Sequence, residues 1–321
     1  MKRILIAVLI CSGLAIGGIG TIGGYIFFKF CGGLNSAEMK EDWDGEYATV
    51  HPDIPYGEKE RNRFDLYVPA GASKDKPAAV MLFIHGGSWM GGDKSEIAYA
   101  CRRYAKAGYF TAAMNYSLID LKNNKSNIPM MLDEIGLCLG KIREKTAELG
   151  YRIDKAALSG FSAGGHLALL YAYSRAESSP LPIAFVAEQV GPVSFVEGWD
   201  DAEADSQEKI SEAIKLVETA AGREIGEDAV LNGEARGIMA SISPLQLVNE
   251  KTPPTVMGYG GKDWLVPLEN GEKLAAALEK SGVDFIFIRY PNSSHMLESD
   301  VDSTKKYRES VLAFAKKYFG Y

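Results

Sequence analysis

Apolar segments of strand length alternate with amphipathic segments of helix length along most of this chain. From residue 61 onward the pattern predicts strands at residues 64–68, 78–85, 109–115, 156–159, 183–190, 255–259 and 284–290. The predicted helices are residues 96–107, 128–149, one that starts just after Ser162, 272–280 and 303–318. Alternation sustained over this length is typical of a mainly parallel sheet covered by helices on both faces. We therefore predict one α/β domain over residues 61–321.

An acidic insert interrupts this alternation at residues 195–245. Between Glu197 and Asp228 it carries eleven acidic and three basic residues. Apolar residues recur within it at helical spacing, at Ile210, Ile214, Val217 and Ala221. The insert is either a solvated surface helix or a helical cap over a ligand site. An insertion between strands near the carboxyl edge of a sheet tends to cover the crevice there, which favours the cap.

The N-terminal segment has a different pattern, because residues 4–28 contain no charged side chain. As a helix this run would be about 37 Å long, enough to cross a hydrocarbon core of about 30 Å. Lys2 and Arg3 precede it, which favours an N-terminus in the cytoplasm and a main domain outside. We predict a transmembrane helix that anchors the chain within residues 1–31, and a tether over residues 32–60.

A cleaved signal peptide is the alternative for this segment. Its apolar region would be residues 4–14, with Ala15 and Gly17 as small residues before the cleavage site. The apolar run continues beyond that point, which favours the uncleaved anchor. Both hypotheses place the domain outside the cytoplasm, as a single-pass protein of the cell membrane or as a secreted protein.

Composition narrows the classes of function. The chain is 46% hydrophobic and 24% charged, which excludes an intrinsically disordered protein and a polytopic membrane protein. Its 35 basic and 42 acidic residues give a net charge of −7, so we predict no nucleic-acid partner. The four cysteines form no C-x-x-C pair, and we expect neither a metal nor a cofactor. Nothing in the sequence sets the oligomeric state.

The strongest chemical signal is a G-x-S-x-G string at residues 160–164, between a predicted strand and a predicted helix. A strand-to-helix turn this tight forces its central residue, Ser162, into a strained conformation and exposes the hydroxyl at a helix N-terminus. Small flanking residues relieve the crowding at such a turn. Ser162 is therefore the predicted nucleophile, and the alternative is an N-cap serine in a glycine-rich turn.

A second signal follows the most apolar predicted strand, where the chain reads HGGSW at residues 85–89. Paired glycines let backbone N–H groups approach a substrate oxygen closely, as an oxyanion hole requires. The predicted donors are the amides of Gly86, Gly87 and Ala163, the last being the residue after the nucleophile. A simple loop is the alternative.

The general base is predicted by elimination, because the chain has four histidines. His51 precedes the core of the domain, and His85 belongs to the glycine loop, which its ring would brace. His166 lies one turn after Ser162 on the same predicted helix, so its ring cannot readily approach the hydroxyl. His295 remains, in a short loop after the last predicted strand, where a base can reach the serine.

The acid that orients this base is expected between the serine and the histidine in chain order. Asp263 ends a predicted strand and would hold the second imidazole nitrogen. Asp200 and Asp201, in the acidic insert, are further candidates. Asp263 could instead be a helix N-cap.

These motifs resemble those of the α/β-hydrolases, most closely carboxylesterases of the hormone-sensitive-lipase type and the related esterase and arylformamidase group. The resemblance covers about residues 61–321. It rests on HGGSW at residues 85–89, GFSAG at 160–164, Asp263 followed by Val266 and Pro267, and the late His295. The lipase-type loop usually has a third glycine where this chain has Ser88, and the HGG-x-W pattern is more similar to the esterase and formamidase branch.

The resemblance implies a serine hydrolase that cleaves carboxylic esters of small molecules through an acyl-enzyme. A short, acetyl-type acyl group is expected, because no long apolar lid is evident in the sequence. Ser88, Trp89 and Trp264 are the predicted pocket residues. Two alternatives remain, a formamide hydrolase of the arylformamidase type and a hydrolase-fold binding module without activity.

Overall fold

The computed structural model describes residues 45–120, 126–196 and 207–320. Its strands are β1 (Ala48–Pro55), β2 (Arg63–Pro69), β3 (Pro77–Ile84), β4 (Phe110–Met114), β5 (Arg152–Phe161), β6 (Ile183–Gln189), β7 (Thr255–Gly260) and β8 (Phe285–Tyr290). Its helices are α1 (Ala98–Lys106), α2 (Ile128–Glu148), α3 (Ala163–Arg175), α4 (Gln207–Ala221), α5 (Glu227–Leu231), α6 (Glu234–Ser241), α7 (Glu269–Lys280) and α8 (Val301–Phe319).

The eight strands form one sheet in the order β1-β2-β4-β3-β5-β6-β7-β8. β2 runs antiparallel to both of its neighbours, and every other pair of adjacent strands is parallel. Parallel neighbours bring their carboxyl ends to one edge of the sheet, where the loops after β3, β5, β7 and β8 meet. This edge is the place at which an open α/β sheet binds ligands.

The middle of the sheet is buried on both faces. β3 is buried over its last six residues, and Ala156, Ala157 and Leu158 of β5 have no exposed surface. Since successive side chains of a strand point to opposite faces, such runs require cover on both sides. The predicted, mainly parallel α/β sheet is confirmed.

The sheet begins earlier than the predicted domain start at residue 61. β1 pairs with β2, so the second half of the expected tether, residues 32–60, belongs to the domain. β1 is an edge strand with mostly exposed side chains, and its ladder is irregular near Pro52 and the left-handed Asp53. Such a strand carries no alternation of apolar and polar residues, which is why the pattern missed it.

Helix α2 shows how local signals set the ends of the elements. Its N-cap is Asn127, whose side chain accepts a hydrogen bond of 2.9 Å from the amide of Met130, and Pro129 lies in the first turn. The apolar stripe that predicted this helix is buried, at Met131, Ile135, Cys138, Leu139 and Ile142. The stripe packs α2 against β5 and α3, the two elements on either side of Ser162.

In its described part the acidic insert forms α4, α5 and α6. Val217 is buried in the hydrophobic core and Ala221 packs against it, so this part of the predicted helical face packs onto the domain. Ile238 and Met239 of α6 are buried in the core as well. The end of α4 reaches the start of α2, because a Cβ at Gly222 would collide with the side chain of Asn127. The role of the insert as a cap over a site stays a prediction.

The predicted membrane anchor, residues 4–28, lies outside the described residues. Among the residues that are described, no helix is both long and apolar enough to cross a membrane. The anchor, the cleaved signal peptide and the location outside the cytoplasm therefore remain predictions from the sequence.

Candidate active site

The tight turn between β5 and α3 places Ser162 at the carboxyl edge of the sheet. Ser162 has φ 55° and ψ −122°, a conformation that costs a non-glycine residue about 1–3 kcal/mol. The glycines on either side allow the close packing: a Cβ at Gly160 would lie 2.2 Å from the carbonyl carbon of Gly164. A Cβ at Gly164 would lie 2.1 Å from the carbonyl oxygen of Ile84, at the end of β3. The turn is thus wedged against the strand that leads into the HGGSW loop.

Replacing Gly164 by alanine is expected to destabilise the protein by about 1–3 kcal/mol or more, because the new methyl group would overlap fixed backbone atoms. Gly237→Ala in α6 is the matched control. Nothing lies within 4 Å of a Cβ there, so alanine should leave stability unchanged or raise it by up to about 1 kcal/mol. Urea unfolding of both variants measures the difference, and equal stabilities would contradict the packing described for the turn.

The structure brings the predicted nucleophile, base and acid into contact. Nε2 of His295 lies 3.0 Å from Oγ of Ser162, and Nδ1 of His295 lies 2.7 Å from Oδ2 of Asp263. The side chain of Asp263 is fully buried. A carboxylate at Nδ1 accepts a hydrogen bond from the N–H of that nitrogen, so the lone pair of Nε2 faces the serine hydroxyl.

Asp263 is held in place by its own loop. Its Oδ1 accepts hydrogen bonds from the amides of Leu265 (2.8 Å) and Val266 (2.9 Å), which leaves Oδ2 for the imidazole. Asp263 therefore caps a turn through Oδ1 and contacts His295 through Oδ2. The alternative of a capping role accounts for the first of these contacts only. The other acids considered from the sequence, Asp200 and Asp201, lie outside the described residues.

The loops that carry Asp263 and His295 are joined to each other. A Cβ at Gly260 would lie 2.5 Å from the carbonyl oxygen of Ser294, and the amide of Lys262 donates to the carbonyl of Ser293 at 2.9 Å. The hydroxyl of Ser293 in turn donates to Asp300 at 2.7 Å. The spacing between the carboxylate and the imidazole is therefore set by the backbone as well as by their own contact.

Of the three predicted oxyanion donors, Gly86 packs against the turn and Ala163 directly follows Ser162 in the chain. A Cβ at Gly86 would be 3.0 Å from the carbonyl oxygen of Phe161 and 3.4 Å from Cβ of Ser162, so this part of the loop touches the turn. Gly87 follows with φ 111°, which a side chain would disfavour. Ala163 is the first residue of α3, and the first amides of a helix have no carbonyl partner within it.

His85 supports the glycine loop, as expected. Tyr116 and Arg61 contribute to this support, which the sequence did not reveal. The ring of His85 stacks on Tyr116 with centroids 4.3 Å apart, and the hydroxyl of Tyr116 donates to the carbonyl of His85. The guanidinium of Arg61 donates to the carbonyls of Gly92 (2.8 Å) and Tyr116 (2.9 Å). Burial lowers the pKa of His85 to about 4, so the ring is neutral near pH 7.

His166 is buried away from the serine hydroxyl. Its Nε2 donates to the carbonyl of Ile242 at 2.8 Å, and its ring meets the edges of Trp89 and Phe195. Burial lowers its pKa to about 4. Of the four histidines, His295 has its ring against Ser162, which agrees with the elimination from the sequence.

The predicted pocket residues have different environments. Ser88 and Trp89 have left-handed φ angles of 53° and 61°, and the Trp89 ring contacts Phe195 of the insert. Trp264 is 63% exposed. A cavity with about 80 Å³ of space for water-sized groups lies between α1 and α8, beside the turn of Ser162 and the loop of His295. None of the three predicted residues lines this cavity.

A buried carboxyl group, missed in the sequence, lies directly below the turn. Glu188 is the sixth residue of β6, has no exposed surface, and faces Gly160 of β5 across the ladder. Burial raises its pKa to about 8, against a smaller lowering by the amide of Gly191. An acidic residue inside the apolar strand IAFVAEQV was the signal that could have identified it.

Comparisons with known proteins give a family match and several relatives. A family model described as BD-FAE matches residues 64–278 of this chain. Esterase LipQ of Mycobacterium tuberculosis is 26% identical over 258 residues, which cover 78% of this chain and 58% of LipQ. Kynurenine formamidase of Danio rerio is 25% identical over 171 residues, which cover 53% of each chain. The chain thus spans little more than half the length of these curated relatives.

A solved structure with the same fold is esterase B of Lactobacillus rhamnosis. The two folds superpose with a TM-score of 0.67 at 18% sequence identity, over 96% of this chain and 97% of that one. At this identity the likeness shows the fold alone, an α/β-hydrolase-like sheet with its helices.

Proposed function

Because the chain belongs to the BD-FAE family, which is of the α/β-hydrolase type, we propose that it is a serine hydrolase that cleaves carboxylic esters of small molecules. The observation that carries the proposal is the unbroken chain of contacts from Asp263 through His295 to Ser162. Relatives named as esterases support it as well.

Acylation of the enzyme is the first step of the proposed mechanism. Oγ of Ser162 attacks the ester carbonyl while Nε2 of His295 takes the hydroxyl proton, and Asp263 stabilises the imidazolium that forms. The amides of Gly86, Gly87 and Ala163 donate to the oxygen that becomes negative. Collapse of the tetrahedral intermediate breaks the bond to the alcohol, which leaves with the proton from His295.

Deacylation repeats this chemistry with water as the nucleophile. His295 takes a proton from water, the hydroxide attacks the acyl-enzyme, and the same amides hold the second tetrahedral oxygen. Ser162 then leaves with the proton from His295, and the carboxylic acid is released. Each step uses His295 once as base and once as acid, which requires one nitrogen facing the serine and the other fixed by a carboxylate.

We propose a short acyl group, of the acetyl to butyryl size. A lid for a long acyl chain would need apolar side chains that face the substrate. In the insert, Val217, Ile238 and Met239 instead pack onto the hydrophobic core. Phe195 contacts Trp89 of the glycine loop, which supports the insert as a cap.

Hydrolysis of formamides is the second candidate function. It uses the same nucleophile, base and oxyanion donors, and the relatives include kynurenine formamidases of Danio rerio and Salmo salar. A binding module without activity is disfavoured, because Ser162, His295 and Asp263 keep the contacts that catalysis needs.

The values of kcat/KM for a matched set of substrates test the proposal. We expect kcat/KM for the p-nitrophenyl esters of acetate and butyrate to exceed that for the octanoate ester by at least about tenfold, because the apolar side chains of the insert pack onto the core and form no lid for a long acyl chain. An N-formylated arylamine should be the poorer substrate. A preference for the formamide would support the second candidate, and no hydrolysis together with no labelling by a fluorophosphonate would support the binding module.

A further inference from the structure

The turn that follows β6 supports the backbone of Ser162. The carbonyl of Gln189 accepts a hydrogen bond of 2.9 Å from the amide of Ser162. The amide of Val190 donates a hydrogen bond of 2.9 Å to the carbonyl of Gly258. Val190 has φ 49°, a left-handed conformation that is rare and costly for a β-branched residue. The hydrogen bond to the amide of Ser162 depends on this turn, so other contacts must stabilise its strained conformation.

Glu188 is the side chain that closes this turn. Its Oε2 accepts a hydrogen bond of 2.9 Å from the amide of Gly191, three residues later. The hydroxyl of Tyr259 donates to the carbonyl of Gly191 at 2.6 Å, so the glycine is fixed on both sides. The other carboxyl oxygen, Oε1, has no hydrogen-bond partner among the described residues.

The same carboxyl group lies against the first turn of α3. A Cβ at Gly165 would be 3.1 Å from Oε2 of Glu188, and a Cβ at Gly191 would be 2.8 Å from the amide nitrogen of His166. Glu188 is therefore packed against the helix end that carries Ala163, whose amide is one of the proposed oxyanion donors.

We propose that Glu188 is a positioning residue for Ser162, which holds the strained turn below the nucleophile and supports ester hydrolysis best as the neutral acid. This inference rests on the proposed function. A negative charge in this place would weaken the positive potential that the first turn of α3 offers to the developing oxyanion.

The charge state of Glu188 is set by its surroundings. The titratable groups that face it in the described chain are the hydroxyls of Tyr259 from β7, Tyr173 from α3 and Tyr307 from α8. Burial raises the pKa of each of these hydroxyls, so they stay neutral. With its own pKa raised to about 8, Glu188 is mostly protonated at pH 7 and ionises above pH 8.

Glu188→Gln tests the proposal, because the amide keeps the shape and an oxygen for the amide of Gly191 but cannot ionise. We expect Glu188→Gln and the wild type to have equal kcat at pH 7 on a neutral ester such as p-nitrophenyl acetate. Between pH 7 and 9.5 the wild type should lose about tenfold in kcat, and the variant should not. A tenfold change in kcat is the effect expected from one charge roughly 10 Å from the developing oxyanion, at an effective dielectric constant of about 20. Superimposable pH profiles, or an inactive but folded variant at pH 7, would overturn the proposal.

Glu134→Gln is the matched control for the pH profile. Glu134 is a second buried glutamate, paired with Lys59 at 2.9 Å and bonded to the amide of Ser117, on the α2 side of the domain. Its replacement should leave the shape of the profile unchanged. A profile altered to the same extent as that of Glu188→Gln would show a general effect of lost buried charge and would overturn the specific role.

A stability measurement separates this inference from the proposed function. Because the folded pKa of Glu188 lies above its unfolded value, its contribution to stability is complete at acidic pH and is lost as pH rises towards 8. The unfolding constant of the wild type, relative to Glu188→Gln, should therefore rise by up to about tenfold per pH unit between pH 5 and 8. A constant ratio would overturn the assigned ionisation even if the protein proved to have another activity.

Discussion

Ser162→Ala is expected to lower kcat for ester hydrolysis by about 10⁶-fold, with a much smaller effect on KM. Without the hydroxyl no acyl-enzyme can form, and His295 has no proton to take from residue 162. The donors of the glycine loop and of α3 remain, so a small residual rate above that of water should persist. The measurement is steady-state hydrolysis of p-nitrophenyl acetate, with covalent labelling by a fluorophosphonate as a second readout.

Ser294→Ala provides the control for this variant. Ser294 lies in the loop of His295, but its hydroxyl bonds the carboxylate of Glu298 and takes no part in the proposed chemistry. Its activity should stay within a few-fold of the wild type. Near-wild-type hydrolysis by Ser162→Ala would disprove the proposed nucleophile, and circular dichroism would show that both variants are folded.

The turn and the glycine loop could be predicted from the sequence because their geometry demands particular residues locally. A Cβ at Gly160 or Gly164 would overlap backbone atoms, so the packing of the turn requires the two glycines of the G-x-S-x-G string. The central strands were predictable for a similar reason, since a strand buried on both faces must be apolar throughout. His295 and Asp263 followed from chain order, which the fold's topology fixes.

Other parts of the site depend on contacts between distant segments, which leave no local pattern. Arg61 reaches the loop of His85 across the fold, and its sequence neighbours are ordinary polar residues. Strand β1 was missed because an exposed, irregular edge strand is stabilised by its ladder to β2 and not by burial of an alternating face. Glu188 did leave a signal, a single acid in an apolar strand, but its role follows only from the turn that it closes.

Asp263→Asn is expected to lower kcat by about 10⁴-fold while the fold stays intact. The asparagine oxygen can still accept the amides of Leu265 and Val266, as Oδ1 does now. Its NH₂ group then faces Nδ1 of His295 in place of the carboxylate, which forces the imidazole proton onto Nε2. In that tautomer the nitrogen beside Ser162 is a donor and cannot take the hydroxyl proton.

Asp284→Asn is the matched control, because Asp284 precedes β8 and forms an exposed ion pair with Lys317 at the far end of the strand from His295. An exposed pair of this kind contributes about 0–1 kcal/mol, so its loss should leave kcat unchanged. The rates of both variants on p-nitrophenyl acetate, compared with urea unfolding curves, separate loss of catalysis from loss of stability. If Asp263→Asn kept its rate within tenfold of the wild type, another carboxylate would have to orient His295, and Asp200 and Asp201 would be the next residues to replace.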